Sequence, residues 1–193
     1  MNKFEEASVR ERFALKQIEP ILRKKESTIY YTDIYSYDVY DALLHILENG
    51  TIKKRYIIEC KLRDTHYDEL MYETKKDKDL TSKIIDPSNT DILFINFTPT
   101  GTYLFNITQL KKTHPLLFNH IDYTYCPKST MGDKVYINKG HYLLPTSLGM
   151  NLRYIFNEMD FKNSSKTIEQ QNNKTKRTYC LFKDVFDMEK INK

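Results

Sequence analysis

Glu59 and Lys61 stand two residues apart at the end of an apolar run, in the stretch RYIIECKLR (55–63). Alternate side chains of an extended chain share a face, so this acid and base point the same way, roughly 6–7 Å apart along the chain. Tyr56, Ile58 and Cys60 point the other way, which suits a face packed on a core. The simplest account of the pair is a surface salt bridge at a strand end, and such bridges contribute little. A second acid on the same face changes the chemistry, because two carboxylates supply the hard oxygen ligands that a divalent cation takes. Asp38 and Asp41, shortly upstream, are the candidates.

Whether either acid reaches Glu59 depends on a hairpin. Its first arm is about 38–47, DVYDALLHIL, and its second about 53–62. Between them Glu48-Asn49-Gly50-Thr51 is a turn, since Asn-Gly favours the positive φ of tight hairpins. A strict two-residue turn sets Tyr40 opposite Glu59 and Asp38 opposite Lys61. A longer turn or a bulge sets Asp41 opposite Glu59, and the sequence leaves both registers open. Around the hairpin, 4–24 reads as a helix with Val9, Phe13, Ile18 and Leu22 on one stripe. Residues 28–35 read as a strand, 66–84 as a helix, 91–97 and 102–107 as strands joined by the turn 98–101, and 134–145 as β-rich. This order predicts an α/β (α+β) layer structure rather than a bundle or a sandwich. Residues 1–160 are expected to form one domain, 161–178 a polar linker and 179–193 a short amphipathic segment.

The chain has 193 residues, enough to bury roughly 70% of its unfolded surface without a structural metal or disulfide. Its three cysteines, Cys60, Cys126 and Cys180, are far apart and form no Cys-x-x-Cys, which excludes the usual zinc and disulfide frameworks. A polar start and the lack of a long apolar run point to a reduced, cytoplasmic protein with no membrane span. Net charge is +4, and from Lys162 to Lys193 eight basic residues stand against four acidic ones. The surplus therefore lies in the tail, either as an arm for phosphates or as a solvated end.

Asp41, the Glu59-Cys60-Lys61 motif and the order of elements around them resemble the PD-(D/E)XK nuclease superfamily, with its restriction-endonuclease-like and Holliday-junction-resolvase-like members. The resemblance covers about residues 5–110. It implies a mixed central sheet flanked by helices, in the order helix, three-stranded meander, helix, strand. It implies a Mg²⁺-dependent (or Mn²⁺-dependent) nuclease acting on DNA, with Asp41, Glu59 and the carbonyl of Cys60 as metal ligands and Lys61 as the catalytic lysine that orients the water or neutralises the developing charge. In many members a first-helix acid beside an arginine also reaches the metal, which matches Glu11-Arg12; an ordinary solvated helix face is the alternative. The following helix often adds polar groups, here Glu73 and Lys76, with Lys75 competing. The strand pair 91–107 looks like the sheet continuation of phage and Bacteroidetes-type members; the expected location is the cytoplasm, a host's if the protein is viral, and a homodimer is left open.

The chemistry suits the residues. Phosphodiester hydrolysis needs an activated water and neutralised phosphate charge, which a cation held by carboxylates and an adjacent lysine provide. Two rivals are a catalytically inactive relative that binds nucleic acid or serves phage assembly, and a metal-free α+β domain with an incidental salt bridge. No Gly-rich phosphate loop, no Gly-x-Ser-x-Gly and no His-x₃-His occurs among the five histidines, 45, 66, 114, 120 and 141. Tyr30, Tyr31, Tyr35, Tyr37 and Tyr40 could stack bases, although strand tyrosines more often pack. The charge distribution generates one test. Truncation near Asn163 should weaken DNA binding and flatten its salt response, with up to about one log–log unit per lost phosphate contact. A folded truncation with an unchanged salt slope in a filter-binding titration refutes the arm.

Overall fold

The computed structural model describes residues 3–32, 40–127 and 136–164. Helix α1 (Lys3–Leu22) leads to strand β1 (Ser27–Tyr31), and the hairpin of β2 (Ala42–Glu48) and β3 (Thr51–Leu62) follows. The hairpin turn has both central residues at positive φ, Asn49 at 52° and Gly50 at 75°. That is the two-residue geometry whose twist matches the flanking strands. Glu48 pairs with Thr51 and Leu47 with Ile52, but the next pair is Ile46 with Lys54. Lys53 is thus a bulge, and beyond it the register is displaced by one residue up to Ala42 opposite Ile58. Both features left open by the sequence occur together, a tight turn and a bulge, and the bulge selects Asp41 as the neighbour of Glu59. Asp38 lies outside the described residues.

After β3 the chain forms β4 (Glu69–Glu73), helix α2 (Thr74–Ser82), then β5 (Thr90–Thr98), β6 (Gly101–Asn106) and helix α3 (Ile107–Thr113). Strands β7 (Asp122–Pro127), β8 (Tyr136–Pro145) and the short β9 (Met150–Asn151) follow, with a last helix from residue 158 described to 164. The protein is α+β. A mixed six-stranded sheet runs β1-β2-β3-β5-β6-β9, and β4-β8-β7 form a second, antiparallel sheet. Among the pairs of the large sheet, β3 and β5 alone are parallel, so their carboxyl ends lie at the same edge. Their connection through β4 and α2 is the crossover that parallel neighbours require.

Strand β3 is covered on both sides. Ala14, Leu15 and Ile18 of α1 pack with Ile58 and Cys60, while Leu70, Tyr72, Leu80 and Leu144 pack with Ile57 and Phe94. The helix expected over 66–84 is therefore half strand. Leu70 and Tyr72 alternate inward from β4 and pair with Leu144 and Tyr142, partners far along the chain that no local pattern announces. The body also extends beyond residue 160. Phe161 is 9% exposed and packs edge-on to Phe13 at 5.5 Å, so a linker cannot begin at 161. Residues 165–178 and the amphipathic segment 179–193 lie outside the described residues. Among the described residues no helix is long and apolar enough to cross a membrane.

An added Cβ at Gly50 meets nothing within 4 Å, so substitution there tests conformation alone. Gly50→Ala should lower the unfolding free energy by about 1–2 kcal/mol in urea titrations, the cost of holding an L-residue at that φ. An unchanged midpoint would mean that the hairpin does not hold this turn.

Candidate active site

The end of β3 carries a buried acid. Glu59 is 1% exposed, because both faces of its strand are covered. A carboxylate removed from water needs compensation, and two ammonium groups provide it. Lys61 Nζ lies 3.0 Å from Oε1 and Lys76 Nζ 3.1 Å from Oε2. Both contacts are ion pairs between a carboxylate oxygen and an ammonium group. Burial pushes the Glu59 carboxyl up to about 8, Lys61 opposes this, and the nearby charge of Asp41 adds to it. Lys61 responds oppositely. Burial favours its neutral amine, but Glu11, Glu59 and Asp41 outweigh burial and hold its pKa well above the usual lysine value.

Asp41 arrives through the shifted register. Its N–H donates to the Ile58 carbonyl at 2.8 Å, and its Oδ2 accepts from the Cys60 N–H at 2.7 Å. The backbone of Asp41 is itself clamped. Thr32 N–H donates to its carbonyl at 3.1 Å, as does the Thr32 hydroxyl, also at 3.1 Å. Arg12, buried at 4% exposure, donates to the Thr32 carbonyl and reaches the Asp41 carbonyl at 3.5 Å, with its guanidinium 4.8 Å from the centre of the Tyr31 ring. Glu11 is half-buried. Its Oε1 accepts from the Leu62 N–H at 3.2 Å, and burial raises its pKa, with Lys61 lowering it and Asp41 raising it. The first helix thus delivers an acid to the site and an arginine to its support.

Of the residues singled out in the sequence, Glu11, Asp41, Glu59, Lys61 and Lys76 converge. Lys76 rather than the exposed Lys75 makes the ion pair. Glu73 does not join them. It was expected one helical turn before Lys76, but it ends β4 in extended conformation and its carboxylate pairs with Lys139 at 3.2 Å. The Cys60 side chain is fully buried among Ala14, Leu15 and Ile18, and burial raises its thiol pKa well above the usual value, so its thiol is packing. Two residues at the site escaped the sequence reading. Asn96 lies opposite Lys61 on the parallel strand β5 and is fully buried. Arg63, two residues after Lys61, donates to Asn96 Oδ1 at 3.4 Å and to the Met71 carbonyl at 3.2 Å. The period of two that linked Glu59 to Lys61 extends to Arg63, which was the available signal.

Tyr31 donates to Glu19 at 2.5 Å and carries Arg12 and Lys16 on its ring, so it is not a free stacking surface. Tyr30 is 40% exposed beside His45, Tyr40 packs on the core, and Tyr35 and Tyr37 lie outside the described residues.

The donor set, carboxylates beside a strand end, has the chemistry for a hard divalent cation. Burial is the main cause of the raised pKa values of Glu11 and Glu59; the charge of Asp41 adds to it, and Lys61 opposes it, as do Arg63 at Glu11 and Lys76 at Glu59. Among the described residues no three His, Cys, Asp or Glu side chains already surround one metal-sized point. The Glu59 oxygens instead face the two ammonium groups, which would have to yield to a cation. No family model matches this sequence, and no curated protein matches it.

Glu59 fixes a pH dependence. With a carboxyl pKa raised from 4.5 to about 8, the folded state binds a proton that the unfolded state has released. Stability must then fall as pH rises through that interval. Urea unfolding at pH 5, 6.5 and 8 should show the fall, and Glu59→Gln should flatten it. An equally steep fall in the variant would assign the proton to another group.

Proposed function

We propose that the protein is a divalent-cation-dependent nuclease of the PD-(D/E)XK type that hydrolyses phosphodiester bonds in DNA. The observation that carries this reading is the convergence of Glu11, Asp41 and Glu59 on one lysine at the end of the central strand. The order helix, three antiparallel strands, crossover helix and parallel strand supports it, as does the position of the site at the carboxyl ends of β3 and β5, where open sheets bind ligands.

Asp41 and Glu59 would hold Mg²⁺ or Mn²⁺, with the Cys60 carbonyl and Glu11 as further oxygen donors. Bound there, the cation would lower the pKa of a water and neutralise phosphate charge. The chain's own contribution is positional and electrostatic. Lys61 stays charged and presents its ammonium on the face that Glu59 occupies, where it can meet a phosphate oxygen as charge develops. Attack of water on phosphorus forms one P–O bond and breaks another, and the leaving oxygen takes up a proton. Lys76, paired with Glu59, compensates the carboxylate until the cation does so.

A second reading, nucleic-acid binding without cleavage, has one observation in its favour: both Glu59 oxygens are already paired with lysines and Asp41 is engaged by a backbone N–H. One experiment separates the two. Plasmid and branched DNA are incubated with Mg²⁺, Mn²⁺ or EDTA, and Mn²⁺ binding is followed by calorimetry. The nuclease reading expects cleavage with metal alone, loss of both binding and cleavage in Glu59→Gln, and in Lys61→Ala near-normal metal affinity with turnover at least about tenfold lower. Full activity in Glu59→Gln refutes the assignment, and DNA retention without cutting at any metal concentration favours the binding protein.

A further inference from the structure

Arg63 is an unusual cation for its surroundings. It is half-buried at the end of β3, on the face shared by Glu59 and Lys61. Lys61 and Lys76 have Glu59, and Lys139 has Glu73, but no carboxylate comes within ion-pair distance of Arg63 among the described residues. Its side-chain contacts are to neutral oxygens, Asn96 Oδ1 through Nε at 3.4 Å and the Met71 carbonyl through Nη2 at 3.2 Å. These fix the plane of the guanidinium from two sides, one in the large sheet and one in the small sheet. They leave the rest of its five N–H donors unused by the described residues. Burial works against the charge of this guanidinium, Glu11, Glu73 and Glu59 support it from beyond ion-pair distance, and its planar fork matches phosphate oxygens.

Asn96 supplies an independent sign. It is fully buried, and its Nδ2 has no hydrogen-bond partner. Buried amides almost always satisfy such donors. The Oδ1 contact with Arg63 sets the orientation of the amide and turns the unpaired N–H₂ away from the arginine. Because Asn96 lies directly opposite Lys61 in a parallel pair, both side chains leave the same face of the sheet. An orphaned donor and an unpaired cation therefore flank the lysine on one face.

We propose that Arg63, positioned by Asn96, forms an anion subsite that takes a backbone phosphate of a nucleic-acid strand next to the phosphate met by Lys61. Arg63 contacts the anion. Asn96 is a positioning residue, holding the Nε edge of the guanidinium and adding a donor beside the lysine. The inference rests on the nuclease reading for the identity of its ligand, but the anion site can be examined without cleavage.

The probes are inorganic phosphate and a fluorescein-labelled single-stranded oligonucleotide, both in EDTA with the full-length protein. The Arg63 Nε–H resonance, assigned by its loss in Arg63→Gln, is followed during phosphate titration against chloride at matched ionic strength. We expect phosphate, not chloride, to move it. Oligonucleotide binding should weaken about tenfold in Arg63→Gln, with the salt slope reduced by about one unit. Arg63→Lys should restore the slope but not the full affinity, since it returns the charge without the fork. Asn96→Ala should shift the Arg63 resonance in the free protein and weaken the phosphate response while leaving the slope in place. If phosphate leaves the Arg63 signal unmoved while the protein still cuts DNA, the subsite is wrong and the nuclease reading stands. If phosphate moves the signal but the wild-type protein binds no oligonucleotide, the nucleic-acid assignment of the subsite falls together with that reading. Should Arg63→Gln fail to fold, an unperturbed Arg63 signal under phosphate in the wild-type protein still overturns the proposal.

Discussion

A carboxylate that is 1% exposed in a central strand must be compensated where it stands, and at Glu59 two elements converge to do so. β3 itself supplies Lys61, α2 supplies Lys76, and the hairpin brings Asp41 alongside as a further negative charge. Removing one partner of a buried pair leaves an uncompensated charge, a loss of about 3–5 kcal/mol in comparable cases. The position of α2 is consequently fixed by more than its apolar contacts. The helix must present Lys76 inward while Leu80, one turn on, fills the core.

The acids are held by backbone rather than by one another. Asp41 accepts from the N–H of Cys60 and Glu11 from that of Leu62, so two carboxylates from distant parts of the chain read out adjacent stretches of the same strand. The bulge at Lys53 determines which residue of the first arm gets there. Arg12 and Thr32 then hold the carbonyl of Asp41, so that the strand begins with its acid already oriented. Such support from outside the acid set is what fixes a functional side chain to within a fraction of an ångström.

Much of this was legible in the sequence. The alternation in RYIIECKLR placed Glu59 and Lys61 on one face, Asn-Gly marked the hairpin, and the apolar stripe of α1 marked the first helix. What stayed hidden depended on partners distant along the chain. β4 reads as helix until Leu70 and Tyr72 meet β8, and with that strand unrecognised Glu73 was assigned to a helix face it does not occupy. Arg12 reads as a solvated helix residue, yet the covering of α1 by β1 and β2 buries it. Asn96 is one polar residue inside DILFINF, and only the parallel register reveals that it lies beside Lys61. The bulge could not be located at all, because a single unpaired residue on a polar arm changes no local pattern.

The protein contains a second buried ion pair, and the comparison with it bears on how the first should be understood. Asp77 receives Lys111 Nζ on both oxygens, at 2.7 and 2.8 Å, and the Tyr72 hydroxyl at 3.1 Å. One acid meets one base, each contact is a directional hydrogen bond, and the tie joins α2 to α3. That is how a chain stabilises two packed helices. The cluster around Glu59 departs from this pattern. Glu59 meets two lysines at once, Asp41 and Glu11 stand beside them, and an amide and a guanidinium next to them keep unused donors. The unsatisfied Asn96 donor beside this cluster is the feature on which the proposed ligand site rests.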